Sequence, residues 1–141
     1  MKIDETDKRI LKELKKDSRE TIRDIAKILS LRPSTVHQRI LKLKENGVIE
    51  KFTIKTSNKE IGENFIVFML VSTEGVILPE AALKNDHIKE VFGITGEYDL
   101  MIKMKFLDVE EFNNFILDFR KKYGLKKTIT MVGTVNLKEE L

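Results

Sequence analysis

Apolar side chains recur every three or four positions in three stretches of the first 46 residues, with polar side chains between them. This spacing predicts three amphipathic helices, because it places the apolar positions on one face. The apolar positions are Ile10, Leu11 and Leu14 in the first stretch, Ile22, Ile25, Ala26 and Leu29 in the second, and Val36, Ile40 and Leu43 in the third. Together the three helices would close one small core.

Each stretch begins at a residue suited to a helix start. Asp4 has Asp7 three positions later, and Thr21 has Asp24, so each pair can satisfy free amides. Pro33 suits a first helical position, because its missing N–H is no loss there. The predicted elements are a helix from about Glu5 to Lys16, a second from Thr21 to a turn at Ser30-Leu31, a third from Pro33 to Asn46 with Gly47 past its end, and a strand from Ile49 to Thr56.

The third helix has a polar outer face, and two short helices joined by a tight turn are typical of a helix-turn-helix. In such a motif the N-terminal part of the second helix enters the major groove of DNA. We expect Gln38 to read an adenine edge, Ser34, Thr35 and His37 to read bases or position the backbone, and Arg32, Arg39 and Lys42 to meet phosphates. The alternative is an ordinary solvated helix face, which is polar by default.

The pattern changes after a polar, turn-rich segment at 57–63. Residues 65–71 are seven consecutive apolar residues, so we predict a strand over 64–73 that is buried on both faces. The further predicted elements are a short helix from Pro79 to Lys84, a strand from Ile88 to Thr95, a strand from Tyr98 to Phe106, a helix from the capping pair Asp108 and Glu111 to Gly124, and a strand from Lys127 to Leu137.

The order strand, helix, strand, strand, helix, strand is the ferredoxin-like βαββαβ arrangement, so the predicted fold class is α+β. We expect a DNA-binding domain at 1–56, a hinge at 57–63 and a second domain at 64–141. Both helices of the second domain would cover one face of its sheet. The other face would be an apolar patch in a monomer, which predicts a dimer with two sheets packed together. The alternative is that the DNA-binding domain covers this face.

Charge divides the chain into two halves. Residues 1–60 hold 16 Lys and Arg against 10 Asp and Glu, and residues 61–141 hold 10 against 13. A basic N-terminal half fits a nucleic-acid partner. However, 20 Lys and 15 Glu beside a single Gln also resemble the composition of hyperthermophile proteins, so temperature can explain part of the Lys excess.

Several other classes of chemistry are not supported. The chain has no Cys, and His37 and His87 lie far apart, so no zinc-binding spacing exists and we expect no metal or other cofactor. No phosphate-binding glycine pattern occurs, and we expect no enzyme activity. No apolar run is long enough to span a membrane, and the first residues lack the apolar core of a signal peptide. These features predict a cytoplasmic protein.

The whole chain resembles the Lrp/AsnC family of transcription regulators, in an archaeal-like form. The matching motifs are D-x-x-D-x-x-I-L from Asp4, I-A-x-x-L-x-L-x-x-S-T-V-x-x-R-I at 25–40, L-x-x-x-G-V-I at 43–49, and G-E-Y-D at 96–99. The resemblance implies a winged helix-turn-helix followed by a ligand-sensing RAM domain. It also implies homodimers that assemble into tetramers, octamers or larger discs, with amino acids bound between dimers near the 96–99 bend.

Three features depart from the family pattern. Ser30 stands where family members usually have Gly, and a left-handed conformation costs a residue other than Gly roughly 1 kcal/mol. Arg32 stands where many members have a capping Ser, so one helix amide loses its usual acceptor. The helix near Pro79 is also about one turn short, which affects the expected ligand pocket.

The candidate effector site lies at the bend between two predicted strands. Gly96 permits close backbone approach, the amides of the bend suit a carboxylate, and Asp99 suits an amino group or a cationic side chain. We expect the effector-binding residues to be Gly96, Glu97, Tyr98, Asp99, Thr128 and Thr130. The acidic residues slightly favour Lys or Arg as the effector. The alternative is a simple tight turn in which Asp99 caps backbone.

The predicted function is therefore a sequence-specific transcription regulator that responds to an amino acid. As a dimer it would bind a roughly palindromic site on double-stranded DNA. The rival function is an amino-acid-binding oligomer with protein contacts as its output, or an architectural oligomer that wraps DNA with little sequence preference.

Overall fold

The computed structural model describes residues 2–75 and 77–140, which form two compact units divided between residues 55 and 56. The first unit contains helices α1 (Glu5–Lys16), α2 (Ile22–Leu29) and α3 (Pro33–Glu45). Their apolar faces meet in one core whose fully or nearly fully buried members are Ile10, Ile25, Ala26, Leu29 and Val36. The predicted three-helix module is thus confirmed.

The predicted helix starts are confirmed in detail. The Asp4 side chain accepts from the Asp7 amide, and the Asp7 side chain accepts from the Asp4 amide, which completes a capping box. The Thr21 side chain accepts from the Asp24 amide. Ser30 ends α2 in a left-handed conformation with φ 56° and ψ 43°, as the turn requires. Local hydrogen bonding therefore fixes where each of these helices begins or ends.

The strand predicted from Ile49 to Thr56 is wrong. Residues 50–57 have no regular secondary structure, and no strand within the described part of the chain pairs with them. Phe52 and Ile54, which alternate with polar residues in this segment, are 47% and 69% exposed. A strand needs a hydrogen-bonded neighbour, and the alternating pattern alone does not supply one.

The second unit is a four-stranded antiparallel sheet with two helices. Its elements are β1 (Phe65–Ser72), α4 (Glu80–Leu83), β2 (Ile88–Gly93), β3 (Leu100–Phe106), α5 (Val109–Lys122) and β4 (Lys127–Val132). The strand order is β2-β3-β1-β4, and the three neighbouring pairs are antiparallel. This confirms the ferredoxin-like βαββαβ arrangement and the α+β class.

The core of this unit lies between the sheet and its helices. Val67, Met69 and Val71 of β1 are fully buried and pack with α5 side chains such as Phe112 and Ile116. The opposite face of β1 is only half-buried in the single chain, so the prediction of burial on both faces is correct for one face. The half-buried residues of that face are Ile66, Phe68 and Leu70.

The sequence predicted all four strands longer than they are in the structure. Strand β4 ends at Val132, opposite Val67, and not at Leu137; the Gly133 amide still bonds to Ile66, but positions 135–137 lie past Phe65, the first residue of β1. Strand β2 ends at Gly93, and β3 starts at Leu100. The short helix α4 follows Pro79 as predicted. None of the helices among the described residues is long and apolar enough to cross a membrane.

Candidate functional site

Helix α3 is anchored by one face and open on the other. Val36 and Leu43 are fully buried on the inner side. Pro33 occupies the first turn, and Arg32 precedes it with no side-chain cap, as its sequence position predicted. The Leu31 amide donates to the Ala26 carbonyl oxygen at 2.8 Å and closes the turn from α2. The inner contacts therefore determine which side chains of α3 face outward.

An open depression runs along the outer face of α3. It collects five of the seven predicted DNA-binding residues: Ser34, Thr35, Gln38, Arg39 and Lys42. The other two, Arg32 and His37, are exposed but do not line this depression. Lys2, Asp4, Asp7, Glu45 and Asn46 complete the lining, so three cations lie beside three carboxylates. The depression offers hydroxyl, amide and ammonium groups, the kinds of group that contact nucleic acids.

Arg39 is held within the domain. Its Nη1 donates to Asp4 Oδ1 and Oδ2 at 2.8 and 2.7 Å, and to Asp7 Oδ1 at 2.8 Å. The hydrogen bond from Arg39 lowers the pKa of Asp4, and the bonds to Asp4 and Asp7 raise the pKa of Arg39. Sequence reasoning assigned the two carboxylates only to helix capping. The one available signal was that Asp7 lies on the apolar stripe of α1, where a charge needs a partner.

The predicted effector bend closes one end of the sheet. The Asp99 amide donates to the Val71 carbonyl at 2.9 Å, and the Ile94 amide donates to the Asp99 carbonyl at 2.8 Å. Asp99 Oδ2 accepts from the Thr73 amide and hydroxyl at 2.8 and 2.9 Å, and these bonds lower the pKa of Asp99. The Asp99 carboxylate therefore already has backbone and hydroxyl partners, although it remains exposed.

Lys127, at the start of β4, joins the bend and was missed in the sequence. Its Nζ donates to Glu97 Oε1 at 2.6 Å and lies 5.3 Å from the centre of the Tyr98 ring. The ion pair lowers the pKa of Glu97 and raises the pKa of Lys127. No sequence signal links positions 97 and 127; the pairing of β4 with β1 brings them together.

The two predicted threonines lie on the edge strand that follows Lys127. Thr128 is opposite Val71, and Thr130 is opposite Met69. Since directly paired residues share a sheet face, both threonines lie on the face that the helices cover. Thr128 is half-buried and Thr130 is exposed. Within one chain the structure thus brings the bend next to the beginning of β4, with Thr130 further along the strand.

Both units match models of known families. Residues 3–50 match a model described as winged helix-turn-helix DNA-binding, and residues 67–140 match one described as Lrp/AsnC ligand binding domain. The HTH-type transcriptional regulator FL11 of Pyrococcus abyssi is 37% identical, covering 97% of this chain and 93% of that protein. FL11 of Pyrococcus horikoshii is 38% identical with the same coverage.

Solved structures share the fold over nearly the full length. The B. subtilis protein LrpC superposes with a TM-score of 0.86 at 24% identity, covering 99% of this chain and 100% of that one. A transcriptional regulator of Neisseria meningitidis in complex with L-Met superposes with a TM-score of 0.88 at 22% identity, covering 99% and 94%. At these identities the likeness concerns the fold.

Proposed function

Because the chain belongs to the Lrp/AsnC family of transcription regulators, we propose that it controls transcription by sequence-specific DNA binding through α3. Its relatives are transcription regulators and not enzymes. The observation that carries the proposal is the outer face of α3, which is polar and open while Val36 and Leu43 fix the inner face in the core. A helix held in this way can enter a major groove without unfolding.

Individual contacts follow from chemistry and exposure. Gln38 is exposed on the outer face, and its amide can pair with both groups on an adenine edge. Ser34, Thr35 and His37 would read further bases or position the backbone. Lys42 and Arg32 would contact phosphates, because both are exposed cations on or next to α3. Arg39 differs from these residues, since two carboxylates already surround its guanidinium.

Site selection from random duplexes, followed by competition against unrelated duplex, tests this function. We expect the selection to give a roughly palindromic site, and we expect unrelated DNA to compete poorly with it for the protein. Gln38→Ala should change the preference at one position by about 1–3 kcal/mol. Lys42→Ala should weaken all duplexes alike, and Lys12→Ala, on the exposed surface of α1, is the matched control. Equal binding to all duplexes would favour the architectural alternative instead.

The domain organisation supports a regulator with separable parts. We propose 1–56 as the DNA-binding domain, 57–63 as the hinge and 64–141 as the effector-binding and oligomerisation domain. Within the proposed hinge, Gly62 has a positive φ of 72°, which suits a chain reversal. A protein that acts on DNA in this way would work in the cytoplasm.

We further propose that the chain forms homodimers that assemble into larger species. Two observations support this: the half-buried apolar face of β1, and the segment at 50–57, which exposes Phe52 and Ile54 and pairs with no strand of the described chain. Light scattering should show dimers or larger species. Ile129→Lys, on the open sheet face, should reduce the size, whereas Leu117→Lys, on exposed α5 surface, should leave dimers intact. A wild-type monomer at micromolar concentration would refute the proposal.

The effector proposed for the second domain is an amino acid bound at the 96–99 bend. Glu97 pairs with the ammonium of Lys127, Glu74 acts on the same ammonium, and Asp99 adds a third carboxylate to the bend. This excess of negative charge favours Lys or Arg as the effector over neutral amino acids.

A thermal-shift screen of the twenty amino acids tests the effector, because a ligand of the folded state raises the melting temperature. Asp99→Asn is the matched variant, since its amide oxygen can still accept from the Thr73 amide while the charge is removed. We expect Lys or Arg to stabilise the wild type and not the variant. If no amino acid has an effect while DNA binding is intact, this effector class is wrong.

A further inference from the structure

The Arg39 guanidinium connects α3 to the first turn of α1. Three hydrogen bonds of 2.7–2.8 Å join Nη1 to carboxylate oxygens of Asp4 and Asp7. We call these three residues the Asp-Arg-Asp clasp. The contacts cross more than 30 positions of sequence and lie beside the depression on α3. Arg39 therefore connects α1, which supports the helix-turn-helix, to α3, whose outer face is open.

The partners of Arg39 are themselves fixed. Asp4 and Asp7 form the capping box of α1, so each carboxylate also accepts a backbone amide. Asp7 is only 2% exposed, and a buried carboxylate is costly unless an opposite charge accompanies it. If Arg39 turned outward to a phosphate, Asp7 would lose this cation. The other cations of the depression, Lys2 and Lys42, form no ion pair with Asp7 within the described part of the chain.

We propose that Arg39 is a positioning residue that locks α3 onto α1 and does not contact DNA. The clasp would act together with the buried Val36 and Leu43 to fix the rotation of α3 about its axis, so that Gln38 and Lys42 point together toward the groove. This inference rests on the proposed DNA binding, and it assigns Arg39 a different role from the phosphate contact that its position on the outer face suggested.

Salt dependence of DNA binding separates the two roles. Removing a phosphate contact reduces the slope of log affinity against log salt by about one, whereas a positioning residue leaves the slope unchanged. We expect Arg39→Gln to lower affinity about tenfold at constant slope, as it would if α3 were correctly docked about a tenth of the time. Lys42→Gln should lower the slope, and Lys12→Gln should change neither quantity. A slope reduced by about one in Arg39→Gln would overturn the inference.

Neutralising Asp4 gives an independent test, because a phosphate-contacting Arg39 would then bind DNA more strongly and not more weakly. Asn remains a good helix cap, so Asp4→Asn removes the charge next to Arg39 and retains an acceptor for the Asp7 amide. Glu5→Gln removes the same charge one residue away, where Glu5 pairs only with exposed Lys8 among the described residues. If Asp4 merely kept Arg39 from phosphate, Asp4→Asn would strengthen DNA binding more than Glu5→Gln and steepen the slope. We expect no such excess.

A double-mutant cycle on folding stability tests the clasp without DNA. Arg39→Gln and Asp7→Asn should each lower the midpoint of chemical denaturation, and the double variant should lower it by less than the sum, because the two residues share one interaction. Arg39→Lys should recover part of the loss. Additive effects would overturn the clasp. If the cycle shows coupling between Arg39 and Asp7 but the wild-type protein binds no duplex, the clasp is supported and the proposed function is refuted.

Discussion

Replacing Ser30 by Gly should stabilise the helix-turn-helix. Ser30 holds φ 56° and ψ 43°, a conformation that costs a residue with a Cβ roughly 1 kcal/mol and Gly almost nothing. Gly loses more backbone entropy on folding, about 0.5 kcal/mol more. The Ser30 side chain is exposed and makes no hydrogen bond within the described residues, so little else changes. The net expectation is a gain of about 0.5 kcal/mol, the difference of these two terms.

The gain should be local to α2 and α3. Hydrogen exchange of the Leu31 amide, which bonds to the Ala26 carbonyl at 2.8 Å, reports opening of this turn and should slow in Ser30→Gly. For a domain of this size, 0.5 kcal/mol corresponds to a rise of about 2–4 °C in the melting temperature. Ser30→Ala is the matched control, because it removes the hydroxyl and keeps the Cβ. Equal stabilisation by Ala and Gly, or a loss with Gly, would refute the assignment of backbone strain to Ser30.

Three further predictions concern the second unit and the response to acid. Ile102→Ala should lower the free energy of unfolding by about 2–5 kcal/mol in chemical denaturation, because Ile102 is fully buried in the sheet core. Lys105→Met should raise the pKa of Glu139, because the hydrogen bond from Lys105 is the main cause of its depression and, among the described cations, only Lys103 would remain beside it. An NMR titration would measure this shift, and an unchanged pKa would contradict the role of this ion pair. Acid should destabilise the fold, because hydrogen bonds and ion pairs depress the folded-state pKa of several carboxyl groups. The stability that these groups contribute is complete above their unfolded pKa values near 4 and is lost as pH falls through the lower folded-state values. A series of melting temperatures from pH 6 to 3 would measure the loss. The carboxyl groups are Asp4, Glu97, Asp99 and Glu139.

The segment at 50–57, which follows α3, shows where sequence patterns mislead. Phe52 and Ile54 alternate with polar residues as in a strand, yet residues 50–57 have no sheet partner within the described chain. The same limitation shortens β4, since its length depends on where β1 begins. A pattern of alternation indicates which residues suit a strand, but pairing decides whether one forms.

The sequence by itself determined the helices, their caps and the order of the elements. These features depend on residues within about four positions of one another, as Asp4 with Asp7, Thr21 with Asp24, and the left-handed Ser30 show. The order βαββαβ then left few topologies. Short-range hydrogen bonding and burial of apolar stripes are therefore sufficient for the fold class.

Only the tertiary structure decided how the polar residues are paired. Arg39 meets Asp4 across 35 positions, and Lys127 meets Glu97 across 30. All four are charged residues, and the residue type alone does not tell whether such a side chain faces solvent, binds a ligand or forms an ion pair. Their partners depend on how α1 packs on α3 and how β4 pairs with β1, because an ion pair needs atoms within about 4 Å and sequence separation does not set that distance.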